Sequence, residues 1–297
     1  MNSFTRTISG LGLFAALGLG LAACGGSTAT AAGHGSMPGM SVSGPASPSA
    51  NDSMAGMAGM PGMTGDGLSR TASGFSLVLT SRSLPALRFQ IKGADGMPVT
   101  SYLPDQTKLM HFYLVRSDLS GFQHVHPTMA ADGTWTAPLT RARPGTYRVY
   151  ASFIAKDTAG KPVPLVLSDT VTVPGTVAKV PLPAASTTTT ADGYTLTLSG
   201  AALMAGMEHT LKVTVTKNGK PVTDLQPYLG TYAHLTAFHQ GDLAFAHLHP
   251  QGTVNGNHGG PALSFHATLA QSGLYRLFLQ FRTGGTLHTA AITLRVS

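Results

Sequence analysis

Two stretches of this chain carry histidines in a pattern that could bind a metal ion. The pattern H-x12-H-x-H-P occurs twice at one constant offset. Its members are His111, His124, His126 and Pro127 in the first copy, and His234, His247, His249 and Pro250 in the second. Positions that recur together at one offset indicate an internal repeat. Imidazole nitrogen binds Cu(II) and Zn(II) at about 2.0–2.1 Å, so each copy predicts a metal site.

Each copy of the pattern fits a β-hairpin. Residues i and i+2 on a strand point to the same face, and directly opposed Cβ atoms lie about 4.5–5.5 Å apart. A four-residue loop at residues 117–120 places His111 opposite His126, and the corresponding loop in the second copy does the same for His234 and His249. We therefore expect three imidazoles on one face of each hairpin, directed outward or into a shallow pocket and forming one site per domain, with the apolar face against the core.

Two further residues are candidates for these sites. His288 begins the last predicted strand and would add a fourth imidazole to the second copy. Asp169 lies on the last strand of the first domain, where it would serve as an extra ligand or accept a hydrogen bond from a ligating histidine. The second domain, residues 191–297, is predicted to bind one Cu(II) or Zn(II) by itself.

Another possible ligand set precedes the hairpins, in residues 24–67. This segment is rich in Gly, Ser, Ala and Pro and has no periodic apolar pattern, which predicts a disordered arm. It contains a run of methionines at every third position, Met54, Met57, Met60 and Met63. Thioether sulfur is a soft ligand that selects Cu(I). The alternative is that the arm is only a spacer.

The N-terminus resembles the signal of a bacterial lipoprotein. Arg6 precedes an apolar run at residues 8–19, and Leu-Ala-Ala-Cys ends at Cys24. Small residues before the cut and a thiol to receive diacylglycerol are what lipid attachment needs. Residues 1–23 are therefore predicted to be a signal peptide, with the mature chain anchored in the cell envelope through a lipid on Cys24. Since the chain has one cysteine, a blue-copper site, which needs a cysteine ligand, is excluded.

The rest of the chain is predicted to be all-β. Only 10% of residues are charged, and the basic residues that give a net charge of +7 are scattered, which argues against nucleic acid as a partner. Short apolar runs between Gly and Pro turns predict two tandem immunoglobulin-like β-sandwich domains, at residues 68–176 and 191–297, joined by a linker at 177–190. The pairs Gly145/Tyr147 and Gly273/Tyr275 predict a tyrosine corner in each.

Three phrases add a family resemblance. LSGFQHVHPTMAADGTW, GDLAFAHLHP and LHTAAITL resemble a family of exported bacterial proteins with tandem immunoglobulin-like, YtkA-like domains, loosely described as heavy-metal or copper associated. The resemblance covers both domains but not the arm. It implies metal binding at His234, His247, His249 and His288. The first domain departs from it, because its last strand carries Asp169 and no histidine.

The leading prediction is a lipid-anchored, non-enzymatic protein that binds copper, or alternatively zinc, for storage, delivery or detoxification. Its partners would be metal ions, the membrane and a copper transporter or metalloenzyme that receives the ion. One alternative is an enzyme similar to copper–zinc superoxide dismutase, which also places H-x-H on a strand. Another is a metal-free adhesion or partner-binding module, a role that immunoglobulin-like folds often serve.

Overall fold

The computed structural model describes residues 66–200 and 202–297. These residues form strands and turns, which confirms the all-β class with immunoglobulin-like sandwiches. Within that part of the chain, no helix capable of crossing a membrane is found. The predicted signal peptide, Cys24 and the methionines at 54, 57, 60 and 63 lie outside the described residues.

The first domain is a sandwich of two antiparallel sheets. Its strands are β1 Thr71–Ala72, β2 Phe75–Ser81, β3 Ala86–Lys92, β4 His111–Arg116, β5 Gln123–Val125, β6 Thr128–Met129, β7 Trp135–Pro138, β8 Gly145–Lys156 and β9 Pro162–Val173. One sheet has the order β1-β2-β3-β7-β6 and the other β5-β4-β8-β9. Aromatic side chains fill the space between them, with Phe89 stacked on Phe112 and beside Trp135.

The second domain repeats this plan. Its strands are β10 Thr188–Ala191, β11 Tyr194–Ser199, β12 Glu208–Lys217, β13 Lys220–Pro221, β14 Ala233–His239, β15 Phe245–Pro250, β16 Ala262–Thr268, β17 Gly273–Thr283 and β18 Thr286–Val296. The strands run in the order β10-β11-β12-β16-β15-β14-β17-β18. β15 pairs with β14 through residues 245–248 and with β16 at His249 and Pro250, so it joins the two layers of the sandwich.

Both predicted tyrosine corners are present. The Tyr147 hydroxyl donates to the carbonyl of Arg143 at 2.9 Å, and the Tyr275 hydroxyl donates to the carbonyl of Gln271 at 3.1 Å. Each bond ties the start of a long central strand, β8 or β17, to the chain just before it. Each of these strands pairs with the first strand of a hairpin, β8 with β4 and β17 with β14, and so positions it in the sheet.

The linker is shorter than the sequence suggested. Thr188–Ala191, placed partly in the predicted linker, pairs with β11 and begins the second sandwich. The linker also contacts the first hairpin loop, since Asp118 accepts a hydrogen bond from the Val180 amide at 2.8 Å and Arg116 donates to the Ala178 carbonyl at 2.9 Å. The connection between the domains is thus held against the first domain.

The two hairpin-bearing sheets pack face to face, and this contact positions the histidines. A third apolar cluster, drawn from both domains, fills the junction. Phe122 of the first domain stacks on Phe278 of the second with ring centroids 4.1 Å apart, and the Tyr150 hydroxyl donates to the Leu243 carbonyl at 2.6 Å. β4 and β14 therefore have a buried surface on both faces, one against their own core and one against the other domain.

Candidate metal centre

The hairpin register predicted from the sequence is confirmed. Phe112 lies opposite Val125 and Tyr113 lies opposite His124. The same register, extended by one residue, places His111 opposite His126. The rings of this last pair have centroids 5.1 Å apart. In the second copy Leu235 lies opposite Leu248, as predicted, but the pairing with β14 ends there and His249 lies opposite His266 instead of His234.

The histidine faces do not point outward, however. His111 and His234 are both fully buried, at 0% exposure. The faces that carry them also carry Tyr113 and Val115 in the first copy and Phe238 in the second, and these side chains form the junction between the domains. The expectation of an outward face or shallow pocket was therefore wrong, because the second side of each hairpin is covered by the other domain.

As a result the two hairpins build one cluster instead of two sites. The candidate ligand atoms of His111, His124 and His234 all lie within 4.8 Å of one another. The His111 and His234 rings stack across the junction with centroids 5.5 Å apart. The centroids of the His124 and His234 rings are 4.6 Å apart. Two imidazoles from the first domain and one from the second form this set, which we call the junction triad.

Hydrogen bonds assign the protons of the first two rings, for His124 through the orientation of the Gln280 amide. His111 Nε2 lies 3.0 Å from the carbonyl oxygen of Asp105, which can only accept, so this nitrogen is protonated and Nδ1 is bare. His124 Nδ1 donates to Gln280 Oε1 at 2.7 Å, which leaves its Nε2 bare. The two bare nitrogens face each other at 3.1 Å. Two nitrogens bound to one tetrahedral ion at 2.0–2.1 Å are separated by about 3.3 Å.

The third ring is assigned in the same manner, for the observed orientation of the Gln106 amide. His234 Nδ1 donates to Gln106 Oε1 at 2.8 Å, so its Nε2 is bare and accepts a hydrogen bond from the Tyr113 hydroxyl at 2.9 Å. The Tyr113 ring also stacks on His124 with centroids 4.4 Å apart. Burial raises the pKa of Tyr113 well above its usual range, so the hydroxyl stays protonated and can turn away from His234.

The cluster favours neutral imidazoles, which are the form that binds metal. Burial, and then the neighbouring histidines, lowers the pKa of His124 and His234 well below 6.5. Burial also lowers the pKa of His111, and it lowers that of His126 to about 4. Lowered pKa values keep the imidazoles of the triad in their neutral form down to a lower pH, and a neutral imidazole has one nitrogen with a free lone pair.

Two nitrogens at the edge of the triad have no hydrogen-bond partner. They are His126 Nε2 and His247 Nδ1, two of only four such buried side-chain atoms in the part of the chain that the structure describes. His126 lies beside His111 and His124, and His247 lies 4.6 Å from His234 between ring centroids. Buried polar atoms are rarely left unpaired, so each of these nitrogens needs a water molecule or a ligand as a partner.

His249 is not part of this group. β15 leaves β14 after Leu248 and pairs with β16, where His249 lies opposite His266. The side chain of His249 is exposed, although its ring centroid remains 5.1 Å from that of His247. The predicted set of three second-domain histidines is therefore divided by the strand that crosses between the layers.

His288 and Asp169 lie on the opposite faces of their sheets. His288 is directly opposite Phe281, a core residue, and its Nδ1 is 2.9 Å from Asp192 Oδ2. Asp169 is opposite Val149, another core residue, and pairs with Arg70 and Arg82 at 2.8 Å each. Because side chains alternate between faces, neither residue can join histidines that face the junction, and both expectations are corrected.

Sequence reasoning missed the residues that orient the imidazoles. These are Gln106, Gln280, Tyr113 and the Asp105 carbonyl. Tyr113 could have been found, because it follows His111 by two positions and so shares its face. The two glutamines could not, since each reaches a histidine of the other domain.

Comparison with known proteins gives a family but no activity. The family described as a domain of unknown function, DUF8832, matches residues 66–164 and 188–297. No curated protein matches the chain.

Similar solved structures include a tetra-tandem repeat from the extending region of a large adhesion protein, at 15% identity and a TM-score of 0.24, covering 75% of this chain and 48% of that one. Domains 4 and 5 of the S-layer protein SbsC are 15% identical with a TM-score of 0.21, covering 75% and 96%. A β-glycosidase from Bacteroides vulgatus is 12% identical with a TM-score of 0.21, covering 75% and 24%. Scores below 0.5 carry no weight for function.

Proposed function

The chain belongs to the DUF8832 family of domains of unknown function, and we propose that this protein binds a transition-metal ion at the junction of its two domains. The ion would be held by His111 Nδ1, His124 Nε2 and His234 Nε2. His126 and His247 lie beside this set and would be available as further ligands. Both copies of the repeat are needed, because the triad takes residues from each.

The observation that carries the proposal is the pair of bare nitrogens 3.1 Å apart on His111 and His124. The partners on the other side of each ring, Asp105 and Gln280, accept the ring protons and so leave the two facing nitrogens bare. Facing lone pairs in a buried site repel each other and have lost their hydration, which disfavours the arrangement without a cation. An ion between them removes both costs.

The donor set supports copper, with zinc as the alternative. Imidazole suits both ions, whereas Mg²⁺ and Ca²⁺ prefer oxygen ligands. Anchoring through a lipid on Cys24 and capture of Cu(I) by Met54, Met57, Met60 and Met63 complete the proposal, and both rest on the sequence. In this scheme the arm collects Cu(I) and the junction holds copper for storage or delivery to a transporter or metalloenzyme.

Burial of the triad supports binding over catalysis. A catalytic metal needs an open coordination position that substrate can reach, whereas His111 and His234 are at 0% exposure. The superoxide dismutase alternative would require the ion to meet its substrate there, and a superoxide assay on the metal-loaded chain tests it.

A metal-free partner-binding module is the second candidate. It is favoured by the stacking of the rings on one another and on Tyr113, which gives them a packing role without an ion. Under this function the histidines would hold the two domains together, and removal of metal would change nothing.

Calorimetric titration of the whole chain in detergent with Zn(II) separates these candidates, since Zn(II) is a poor match for thioether sulfur. The wild type is expected to bind Zn(II). His124→Phe keeps an aromatic ring on Tyr113 but removes both nitrogens, and it should not bind at concentrations that saturate the wild type. His258→Ala, in an exposed loop, is the matched control and should bind normally. Absence of Zn(II) and Cu(II) binding by the wild type would leave the metal-free module.

A further inference from the structure

We infer that Gln106 makes His234 and His247 alternative ligands of the junction ion, so that only one of them binds at a time. This inference rests on the proposed function and specifies its ligand set. Gln106 contacts both rings at once: its Oε1 accepts from His234 Nδ1 at 2.8 Å, and its Nε2 donates to His247 Nε2 at 3.2 Å.

The chemistry of the amide couples the two tautomers. A glutamine side chain offers an acceptor on one side and a donor on the other, and cannot offer the same group to both rings. In the orientation described here, His234 is protonated on Nδ1 and presents a bare Nε2 to the triad. His247 must then accept at Nε2, so its proton lies on Nδ1, the buried atom without a partner.

Rotation of the amide by half a turn exchanges these roles. Gln106 would then accept from His247 Nε2–H, which leaves His247 Nδ1 bare. His234 would accept at Nδ1 and carry its proton on Nε2, the atom that faces the triad. In either orientation one ring offers a bare nitrogen at the cluster and the other offers an N–H, which cannot bind a cation.

A turn that is unusual for its sequence places Gln106 at the junction. Asp105 and Lys108 close the turn with two backbone hydrogen bonds of 2.8 Å, and Gln106 and Thr107 both have left-handed φ angles, 41° and 70°. Neither residue type adopts this conformation readily. Backbone held in such regions often marks a functional site, and here it delivers the amide between two histidines of the other domain.

The second copy of the repeat supplies a natural contrast. The equivalent turn has Leu229 at φ 57° and Gly230 at φ 77°. Leu229 is buried and apolar, so it offers no hydrogen bond to the histidines of the first domain. The two turns meet across the junction, since a Cβ added to Gly230 would lie 3.3 Å from Thr107 Cγ2. Only the first turn places an amide in the cluster, and Gln106→Leu is therefore a substitution that the fold already contains at the matched position.

The test compares the wild type with Gln106→Leu in the whole chain loaded with Cu(II). Pulsed EPR counts the imidazoles bound to the ion. We expect one more bound imidazole in Gln106→Leu than in the wild type, because His247 is released while His234 remains. Adding His247→Phe to Gln106→Leu should return the count to that of the wild type. Should Gln106→Leu fold poorly, Gln106→Asn preserves the left-handed turn and is too short to hold both rings.

Nitrogen NMR of the metal-free chain, labelled at histidine, provides an independent readout. The wild type should show His234 and His247 in complementary tautomers, and Gln106→Leu should lose this coupling. Equal imidazole counts in the wild type and Gln106→Leu would overturn the inference while leaving the proposed function in place. Absence of Cu(II) and Zn(II) from the wild type would instead remove the proposed function.

Discussion

Cutting the linker should make association of the two domains depend on metal. Residues 183–185 are exposed, and a protease site inserted there would divide the chain between the sandwiches. After the cut, the first domain retains His111 and His124 and the second retains His234. Neither half contains the complete triad, so the ion binds the associated pair more tightly than it binds either half.

The size of this effect follows from linkage. A ligand that binds only the associated form stabilises it by RT ln(1 + [L]/Kd), which is about 2.7 kcal/mol at a free ion concentration of 100 times Kd. This corresponds to about a hundredfold tighter association of the halves. Any binding of the ion to a separate half reduces the factor. The apolar junction around Phe122 and Phe278 contributes to association in both conditions and cancels in the comparison.

Sedimentation of the cleaved chain, with Zn(II) or with a chelator, measures the effect. The half-molecules should associate more tightly with Zn(II), and His124→Phe should abolish this difference. Because His124→Phe also removes the hydrogen bond to Gln280 across the junction, its association with Zn(II) is compared with its own value in chelator. His258→Ala should behave as the wild type. Equal association of the wild-type halves with and without Zn(II) would refute a centre shared between the domains.

Three further outcomes are expected. Burial lowers the pKa of His111 and His234, so below about pH 6.5 the unfolded chain binds more protons than the folded chain. The free energy of unfolding should therefore decrease as the pH falls, by at most about 4 kcal/mol between pH 7 and 5 for the two groups. Urea unfolding of the metal-free protein measures this decrease. Cys24→Ser should prevent lipid labelling, and unchanged labelling would exclude lipid attachment at that residue. A peptide of residues 34–66 should compete with a chelator for Cu(I) but not for Zn(II), and a failure to compete for Cu(I) would remove the arm from the mechanism.

The local features of the fold could be predicted because each is encoded within a few residues. Hairpin register follows from loop length and strand alternation, and Phe112 opposite Val125 agrees with it. The position of His288 could have been predicted as well. Gly284 and Gly285 form a two-residue turn with Thr283 opposite Thr286, which sets His288 opposite Phe281. Counting from that turn separates His288 from the junction face.

The burial of the histidine faces also had a signal in the sequence. Residues 109–115 are apolar at nearly every position, with Tyr113 and Val115 on the same side as His111. A strand that is apolar on both faces indicates burial on both faces. The identity of the covering surface could not be predicted, because Gln280 and His234 approach the first domain only through packing between the two sandwiches.

The crossing of β15 from one layer to the other could not be predicted from the sequence either. The sequence FAHLHP reads as one continuous strand, and the structure keeps it continuous while its partner changes from β14 to β16. The change depends on pairing with Ala262–Thr268, which lies beyond a long loop. His249 was therefore assigned to the wrong neighbours, although the register of the rest of this hairpin was predicted correctly.

Tyr113 provides a test in which stability and affinity change in opposite directions. Its hydroxyl donates to His234 Nε2, the lone pair that the ion needs, at 2.9 Å. Tyr113→Phe keeps the ring stacked on His124 but removes the donor. The metal-free protein should lose about 1 kcal/mol of stability, because a buried acceptor loses its partner.

Tyr113→Phe should also make metal binding tighter by about 1 kcal/mol, because the ion no longer displaces a hydrogen bond. This corresponds to roughly a fivefold lower Kd for Zn(II). Tyr150→Phe is the matched control, because its hydroxyl donates to the Leu243 carbonyl in the same junction at 2.6 Å and contacts no histidine nitrogen there. It should lower stability and leave the Kd unchanged. Weaker Zn(II) binding by Tyr113→Phe, with Tyr150→Phe unaffected, would mean that the phenol oxygen is itself a ligand and that the hydroxyl does not compete with the ion.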